Sequence, residues 1–250
     1  MTRQIPMLFS PAMVEALLAG RKTETRRILN PQPETYQNDA GETCDIYPFK
    51  VEGQTRSRIA SGFDGCGVIT TQECCAEVGD LIWVKEAHYA FGWWETTDEL
   101  TKTGMPKRQF VRDPNMGPIC FHPIDEVKSQ SLEKSFGLYK RSSLFLPKSE
   151  SRLTLRVTDF YIEQLHRITE AGAMAEGVER VEVTVRGPSN GYAFVDYEDS
   201  IFAFKGCDAA TRSYQTLWNR INGTDAWDAN PWVDVTKFDV LHQNVQGVAA

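Results

Sequence analysis

The chain has 250 residues, a formal net charge of −7, 41% hydrophobic and 24% charged residues, which is enough to bury a sizeable core in one domain or two. No run of about 18 apolar residues occurs, so a helical membrane span is excluded, and the acidic balance argues against a surface coated with nucleic-acid-binding charge. The start shows no basic region leading into an apolar signal core, so a cytoplasmic location is expected.

In chain order, Ile5, Met7 and Phe9 alternate as a short strand, with Pro6 tolerable at an edge. Ser10-Pro11 reads as a helix opening, a serine cap followed by proline at the first helical position. Met13, Val14, Leu17 and Leu18 fall at helical spacing, and Gly20 ends the element. The next stretch, Gly20-Arg21-Lys22-Thr23-Glu24-Thr25-Arg26-Arg27, carries four cations in eight residues of an acidic protein. Such a basic spot suits a focused anion site rather than a long duplex-tracking groove. If the segment runs extended, Thr23, Thr25 and Arg27 share one face, and Lys22 sits on the bend, able to lean back over Thr25. A hydroxyl, an amine and a guanidinium near one point can bind an anion or perform acyl transfer; a solvated basic turn is the alternative.

Residues 31–76 are polar and weakly periodic and read as an insertion. Val78-Gly79-Asp80 signals a turn before a buried strand, Leu81-Ile82-Trp83-Val84. From Gly92 to about Lys140 the sequence again reads as irregular, with Trp93-Trp94 and several prolines. The clearest strand covers 152–158, with Leu153, Leu155 and Val157 facing one way. Beyond Asp159 the apolar phase switches to Phe160 and Ile162, as at a bulge or bend. Thr169 caps a short helix of 170–176 closed by Gly177, and 179–206 reads as a third excursion. Asp208 is expected to cap the best helix, in which Tyr214, Leu217, Trp218 and Ile221 recur at i, i+3, i+4, i+7. Trp227-Asp228-Ala229-Asn230-Pro231-Trp232 reads as a rigid aromatic turn, and a last strand covers 233–241. The order of elements predicts an α+β protein with a small curled sheet, not a doubly wound parallel one.

Six cysteines (Cys44, Cys66, Cys74, Cys75, Cys120 and Cys207) form no Cys-x-x-Cys pair, and His88, His122, His166 and His242 are scattered. Reduced thiols, no metal site and no cofactor are therefore expected.

Four blocks in order carry a resemblance. They are Leu8-Phe9-Ser10-Pro11-Ala12-Met13 with Leu18-Ala19-Gly20-Arg21-Lys22-Thr23-Glu24-Thr25-Arg26-Arg27; Val78-Gly79-Asp80-Leu81-Ile82-Trp83-Val84-Lys85-Glu86; Ser151-Arg152-Leu153-Thr154-Leu155-Arg156-Val157-Thr158-Asp159; and Leu217-Trp218-Asn219-Arg220-Ile221-Asn222-Gly223 running into Trp227-Asp228-Ala229-Asn230-Pro231-Trp232-Val233. Together they resemble the ASCH domain of the PUA-like superfamily, and especially the larger ASCH proteins of tailed phages and prophages. The resemblance implies a small curled β-barrel with flanking helices, forming one elaborated domain over 1–242. Insertions are expected near 31–76, 92–145 and 179–206, and a frayed tail at 243–250.

It also implies binding of a modified nucleoside or single-stranded RNA or DNA beside the barrel, in the cytoplasm of a bacterial host. One small bacterial branch of the family is an amidohydrolase that deacetylates N4-acetylcytidine. Its proposed lysine, threonine and glutamate match Lys22, Thr25 and Glu176, the last lying six residues after Glu170 of Ile168-Thr169-Glu170. Arg21, Arg26, Arg27, Trp83, Asn230 and Trp232 are the expected substrate-binding residues. A non-catalytic base-binding module is the alternative. A phage assembly or host-interaction protein is another, with a protein partner held through the insertions.

Overall fold

A computed structural model of the chain describes residues 2–33, 36–37, 43–44, 47–51, 58–63, 66–73, 75–122, 135–183, 191–199 and 203–248. Local chemistry sets the first elements. Strand β1 (Gln4–Leu8) leads into helix α1 (Pro11–Leu18), where Ser10 Oγ accepts the Met13 N–H at 3.4 Å. Gly20, at φ +69, takes the left-handed conformation that ends a helix cheaply only at glycine. Strand β2 (Glu24–Ile28) follows.

Residues 31–76, read above as an excursion, contain strands β3 (Tyr36–Gln37), β4 (Thr43–Cys44), β5 (Tyr47–Val51), β6 (Arg58–Phe63) and β7 (Cys66–Glu73). β3 pairs with β4, and β5-β6-β7 form a three-stranded sheet. The β-branched run Val68-Ile69-Thr70-Thr71 suits a strand, although no alternation announces one.

Next come β8 (Leu81–Lys85), β9 (His88–Leu100), β10 (Pro106–Arg112), β11 (Gly137–Arg141), β12 (Thr154–Gln164) and helix α2 (Glu170–Ala175). The chain continues through β13 (Arg180–Val183), β14 (Gly191–Val195) and β15 (Ala203–Phe204) to helix α3 (Ala209–Asn222) and β16 (Trp232–Leu241). A five-stranded sheet has the order β1-β8-β12-β16-β2, and β13-β14-β15 form a separate sheet. Strands dominate and the described residues hold three α-helices, so the fold is α+β.

Two compact units interleave along the sequence. One comprises Met1–Ile5, Glu15–Ile82 and Leu155–Leu241; the other comprises Pro6–Val14, Trp83–Thr154 and His242–Ala250. In the first unit β2 pairs antiparallel with β16, from Ile28 opposite Val233 to Glu24 opposite Lys237. Val157 and Phe160 are both buried, so the buried phase shifts within β12 at Asp159, where the sequence switch lies. Of the stripe on α3, Tyr214, Leu217 and Trp218 are buried but Ile221 is 57% exposed, because the helix is leaving the core in its last turn. Asp208 stands at the N-cap position but in a left-handed conformation, and its side chain caps nothing. The cap comes from another element: Glu170 Oε2 accepts the Ala210 N–H at 3.0 Å.

In the second unit β9 is the centre of the sheet β10-β9-β11. Residues 92–112 therefore form an ordered hairpin, not an irregular segment, while 123–134 of the same stretch lie outside the described residues. Tyr89, Phe91 and Trp93 alternate along β9, Pro106 opens β10 where it interrupts no ladder, and Gly104 at φ +79 makes the turn. The tail is anchored, not frayed, as far as Val248: Asn244 Nδ2 donates to Lys148 O and Ser151 O at 2.8 and 2.7 Å, and Val245 is fully buried.

Glu170→Ala removes the remote cap of α3 and should destabilise the protein by about 1 kcal/mol in urea unfolding, the usual magnitude for a lost helix cap. Asp208→Ala, which removes no cap bond, should change stability by less than half of that. The reverse ranking in the same measurement would show that Glu170 is not the cap.

Candidate functional site

The basic segment is fixed by helix C-termini. A helix leaves its last four carbonyls without intrahelical donors, and residues 21–23 supply donors for two helices. At the end of α1, the backbone N–H groups of Arg21 and Lys22 both donate to Ala16 O, at 2.9 and 3.1 Å. At the end of α2, Thr23 N–H donates to Ala175 O at 2.8 Å, Lys22 Nζ to Glu176 O at 2.9 Å, and Arg21 NH1 to Gly177 O at 3.0 Å. Positive charge is also favoured electrostatically at a helix C-terminus. Gly177 permits this close approach. It lies at φ +93, and a Cβ there would stand 2.8 Å from Ala16 Cβ and 2.9 Å from Lys22 Cβ.

Glu176 occupies the C-cap of α2, which Thr169 opens by accepting the Gly172 N–H. Its carboxylate is buried and satisfied on both oxygens. Lys22 Nζ donates to Oε2 at 2.6 Å, while Tyr214 OH and Arg26 NH1 reach Oε1 at 3.2 and 3.4 Å. Arg26 also pairs with Glu163 Oε1 at 2.9 Å and Glu24 Oε2 at 3.1 Å. Burial holds the Lys22 pKa below the usual lysine range against the opposing pull of Glu176, with Arg27 and Arg26 lowering it further. For Arg26 burial also opposes the charge, but Glu176, Tyr214, Glu163 and Glu24 outweigh it and the pKa is raised. Tyr214 is pushed well above its ordinary value by burial and then by Glu176, so its hydroxyl keeps its proton and donates.

Lys22 and Glu176, 154 positions apart, touch. The Lys22 ammonium is turned to the end of α2, where Glu176 O and Oε2 accept it. Thr25 is buried on β2 opposite Thr236 of β16, and Arg27 lies opposite Asp234. By strand alternation Thr25 and Arg27 share a face that Arg26 does not. On that face Thr236 Oγ1 and Asp234 Oδ1 are buried without a hydrogen-bond partner. Burial raises the Asp234 pKa to about 6, although the Cys75 thiol and Arg27 both favour its charged form. Burial lowers the Arg27 pKa, with Asp234, Cys75 and Glu176 opposing.

The remaining expected residues have structural neighbours. Asn230, in a left-handed conformation, accepts the His166 N–H on Oδ1 at 2.8 Å. The backbone of Trp232 is clamped by the Gln32 side chain, which accepts its N–H at 2.9 Å and donates to its carbonyl at 2.9 Å. Trp83, in the second unit, is buried, with Lys85 Nζ 5.4 Å from its ring centre.

Sequence reasoning missed Tyr214, Glu163, Asp234 and Glu24. The available signal was a tyrosine in an apolar helical stripe, whose hydroxyl needs a partner when buried. No group of three or more His, Cys, Asp and Glu side chains among the described residues could hold a metal ion. Comparison of the chain with family models, with curated proteins and with solved structures gives no match.

Asp234 makes a pH-dependent prediction. Its pKa is raised on folding from 3.8 to about 6, so ionisation disfavours the fold, and stability falls as pH rises from about 4 through about 6. A shift of that size is worth at most about 3 kcal/mol. Asp234→Asn should therefore gain stability relative to wild type between pH 4 and pH 7 in denaturant titrations. A difference constant across that window would show that Asp234 does not titrate in it.

Proposed function

We propose that this is an ASCH-type protein with a PUA-like curled barrel, which takes a modified nucleoside at the β2 site and hydrolyses an N4-acylcytidine amide. The observation that carries this reading is the buried contact of Lys22 Nζ with Glu176 Oε2, two residues that the family resemblance alone had linked. The barrel rests on the two long strands of the five-stranded sheet. The buried phase shifts from Val157 to Phe160 in β12, as a bending strand requires, and in β16 the apolar residues change face from Val235 to Phe238.

Threonine is a weak nucleophile until a base takes its proton, and a lysine serves as that base only when its pKa is depressed. Burial depresses that of Lys22. In the forward step neutral Lys22 takes the Thr25 Oγ1 proton as Oγ1 bonds to the acyl carbon, and the carbonyl electron pair moves onto oxygen beside Arg27. Collapse breaks the bond to N4, and the Lys22 ammonium returns the proton to the leaving amine, releasing cytidine. Water then attacks the acyl-threonine by the same route, giving the free acid and restoring Thr25. Glu176 orients the lysine throughout. No step calls for a metal ion or cofactor.

A second reading, binding without turnover, is favoured by one observation. Lys22 Nζ donates to both Glu176 Oε2 and Glu176 O, a structural role at the end of α2 that requires no turnover.

Incubation with N4-acetylcytidine, with cytidine release followed by chromatography, tests the choice. Thr25→Val and Lys22→Met should each lower release by at least about 100-fold, the scale of a lost base or nucleophile. Turnover unchanged by Thr25→Val rules out the acyl-threonine. Absence of turnover, with oligonucleotide affinity weakened by Arg27→Gln, selects the binding reading.

A further inference from the structure

The second unit holds a buried cation whose neighbours are rings instead of carboxylates. Arg141, the last residue of β11, is only 8% exposed. Its guanidinium carbon lies 4.3 Å from the centre of the Phe110 ring, 4.6 Å from Phe145 and 4.8 Å from Trp94. The register makes this cage. Trp94 of β9 stands opposite Phe110 of β10, and His88 of β9 opposite Arg141 of β11, so these side chains share one face of the sheet.

The rings hold the guanidinium by cation–π attraction. They offer no oxygen to its five N–H donors, which lie in a plane shaped for two oxygen atoms of one anion. Among the described residues no ion pair and no side-chain hydrogen bond reaches Arg141. Its guanidinium nitrogens are also absent from the polar atoms sealed away without a partner. Burial lowers its pKa with no carboxylate opposing. Arg112, by contrast, is paired with Glu150 at 3.0 Å, and Arg152 with Glu86 at 2.8 Å.

Two more cations without a carboxylate among the described residues stand close by. Arg108, exposed on β10, lies 5.7 Å from the Trp94 ring centre, and Lys85 Nζ donates to Leu144 O, beside Phe145, at 2.6 Å. The ring of Phe145 belongs to a residue 57% exposed. A pair of guanidinium groups on one indole with a lysine nearby favours a doubly charged oxyanion over a singly charged one. An exposed aromatic at the same place offers a face on which a base can stack.

We propose that Arg141, in the ring cage of Trp94, Phe110 and Phe145, binds the phosphate of a nucleoside monophosphate, with Arg108 and Lys85 supplying outer charge and Phe145 stacking the base. This site is built from other residues than the β2 site and does not depend on the activity proposed there.

Calorimetric titration of the full chain with inorganic phosphate, a nucleoside monophosphate, its parent nucleoside and acetate tests it. The monophosphate should bind most tightly and phosphate more weakly at the same site by competition, with no detectable binding of the nucleoside. Arg141→Gln should weaken the monophosphate at least tenfold with an unchanged circular dichroism spectrum. Phe145→Ala should reduce the monophosphate to the affinity of free phosphate. Lys107→Gln, an exposed cation of the same hairpin already paired with Glu99 at 2.8 Å, should leave both unchanged. If Arg141→Gln does not fold, the exposed positions decide. Weakening by both Arg108→Gln and Phe145→Ala upholds the site, and affinity unchanged in either overturns it. Equal affinity for nucleoside and monophosphate, acetate binding as well as phosphate, or no binding at all also overturns it.

Discussion

The carboxylate of Glu176 is the constraint around which the first unit is arranged. An ion taken out of water loses several kcal/mol of solvation, and only a full set of donors offsets that loss. Here the donors come from three places in the chain: Lys22 from the loop after α1, Arg26 from β2 and Tyr214 from α3. Glu176 itself ends α2, so one carboxylate ties four segments together. Removing a single partner would leave a buried charge exposed to its full desolvation, which is why such a cluster fixes geometry more strongly than its net contribution to stability suggests. Glu163, on Nε and NH2 of Arg26, and Glu24, on NH1 beside Glu176, extend the cluster.

The same contact sets the electrostatic state of Lys22. Two effects oppose each other there. Burial disfavours the ammonium, and Glu176 favours it by charge and by hydrogen bond. Burial prevails, helped by the two arginines that follow on β2. A lysine capping a helix end on the surface would instead keep its ordinary proton affinity, so the closure of the Gly177 backbone over Lys22 is as much a part of its chemistry as the carboxylate. A helix-end bond and a lowered proton affinity thus fall on one side chain.

What could be read from the chain divides along one line. Features closed within a few residues were legible: the Ser10-Pro11 opening and the Gly20 stop of α1, the Thr169 cap and Gly177 stop of α2, and the phase change at Asp159. Features whose partner lies far off in sequence were not. Asp208 has the residue type of a cap, yet Glu170, 40 positions before the Ala210 N–H that it accepts, does the capping. Tyr214 looked like one more member of an apolar stripe, and nothing local indicates that its hydroxyl meets Glu176. The β9–β10 hairpin was obscured by Pro106, which opens β10, and by polar residues suited to a mostly exposed ribbon. Lys22 and Glu176 were paired only because a family pattern supplied the long-range information that spacing lacks.

Two buried cations now stand in contrast. Lys22 has oxygen partners on a carboxylate and a helix carbonyl, and its bonds account for the positions of α1, α2 and β2. Arg141 has three aromatic rings and no oxygen partner among the described residues. Rings attract a guanidinium from above and below but accept nothing from its edge, so the two surroundings differ in kind and not only in degree. A saturated buried ion is explained by the fold that surrounds it. A buried ion ringed by aromatics, with no oxygen partner among the described residues, is explained only in part, and two negatively charged oxygen atoms coplanar with the guanidinium would complete it. Folding alone gives no reason to place such a group in the small aromatic core of the β9 sheet, where an apolar residue would pack at lower cost; a ligand that brings the oxygens does.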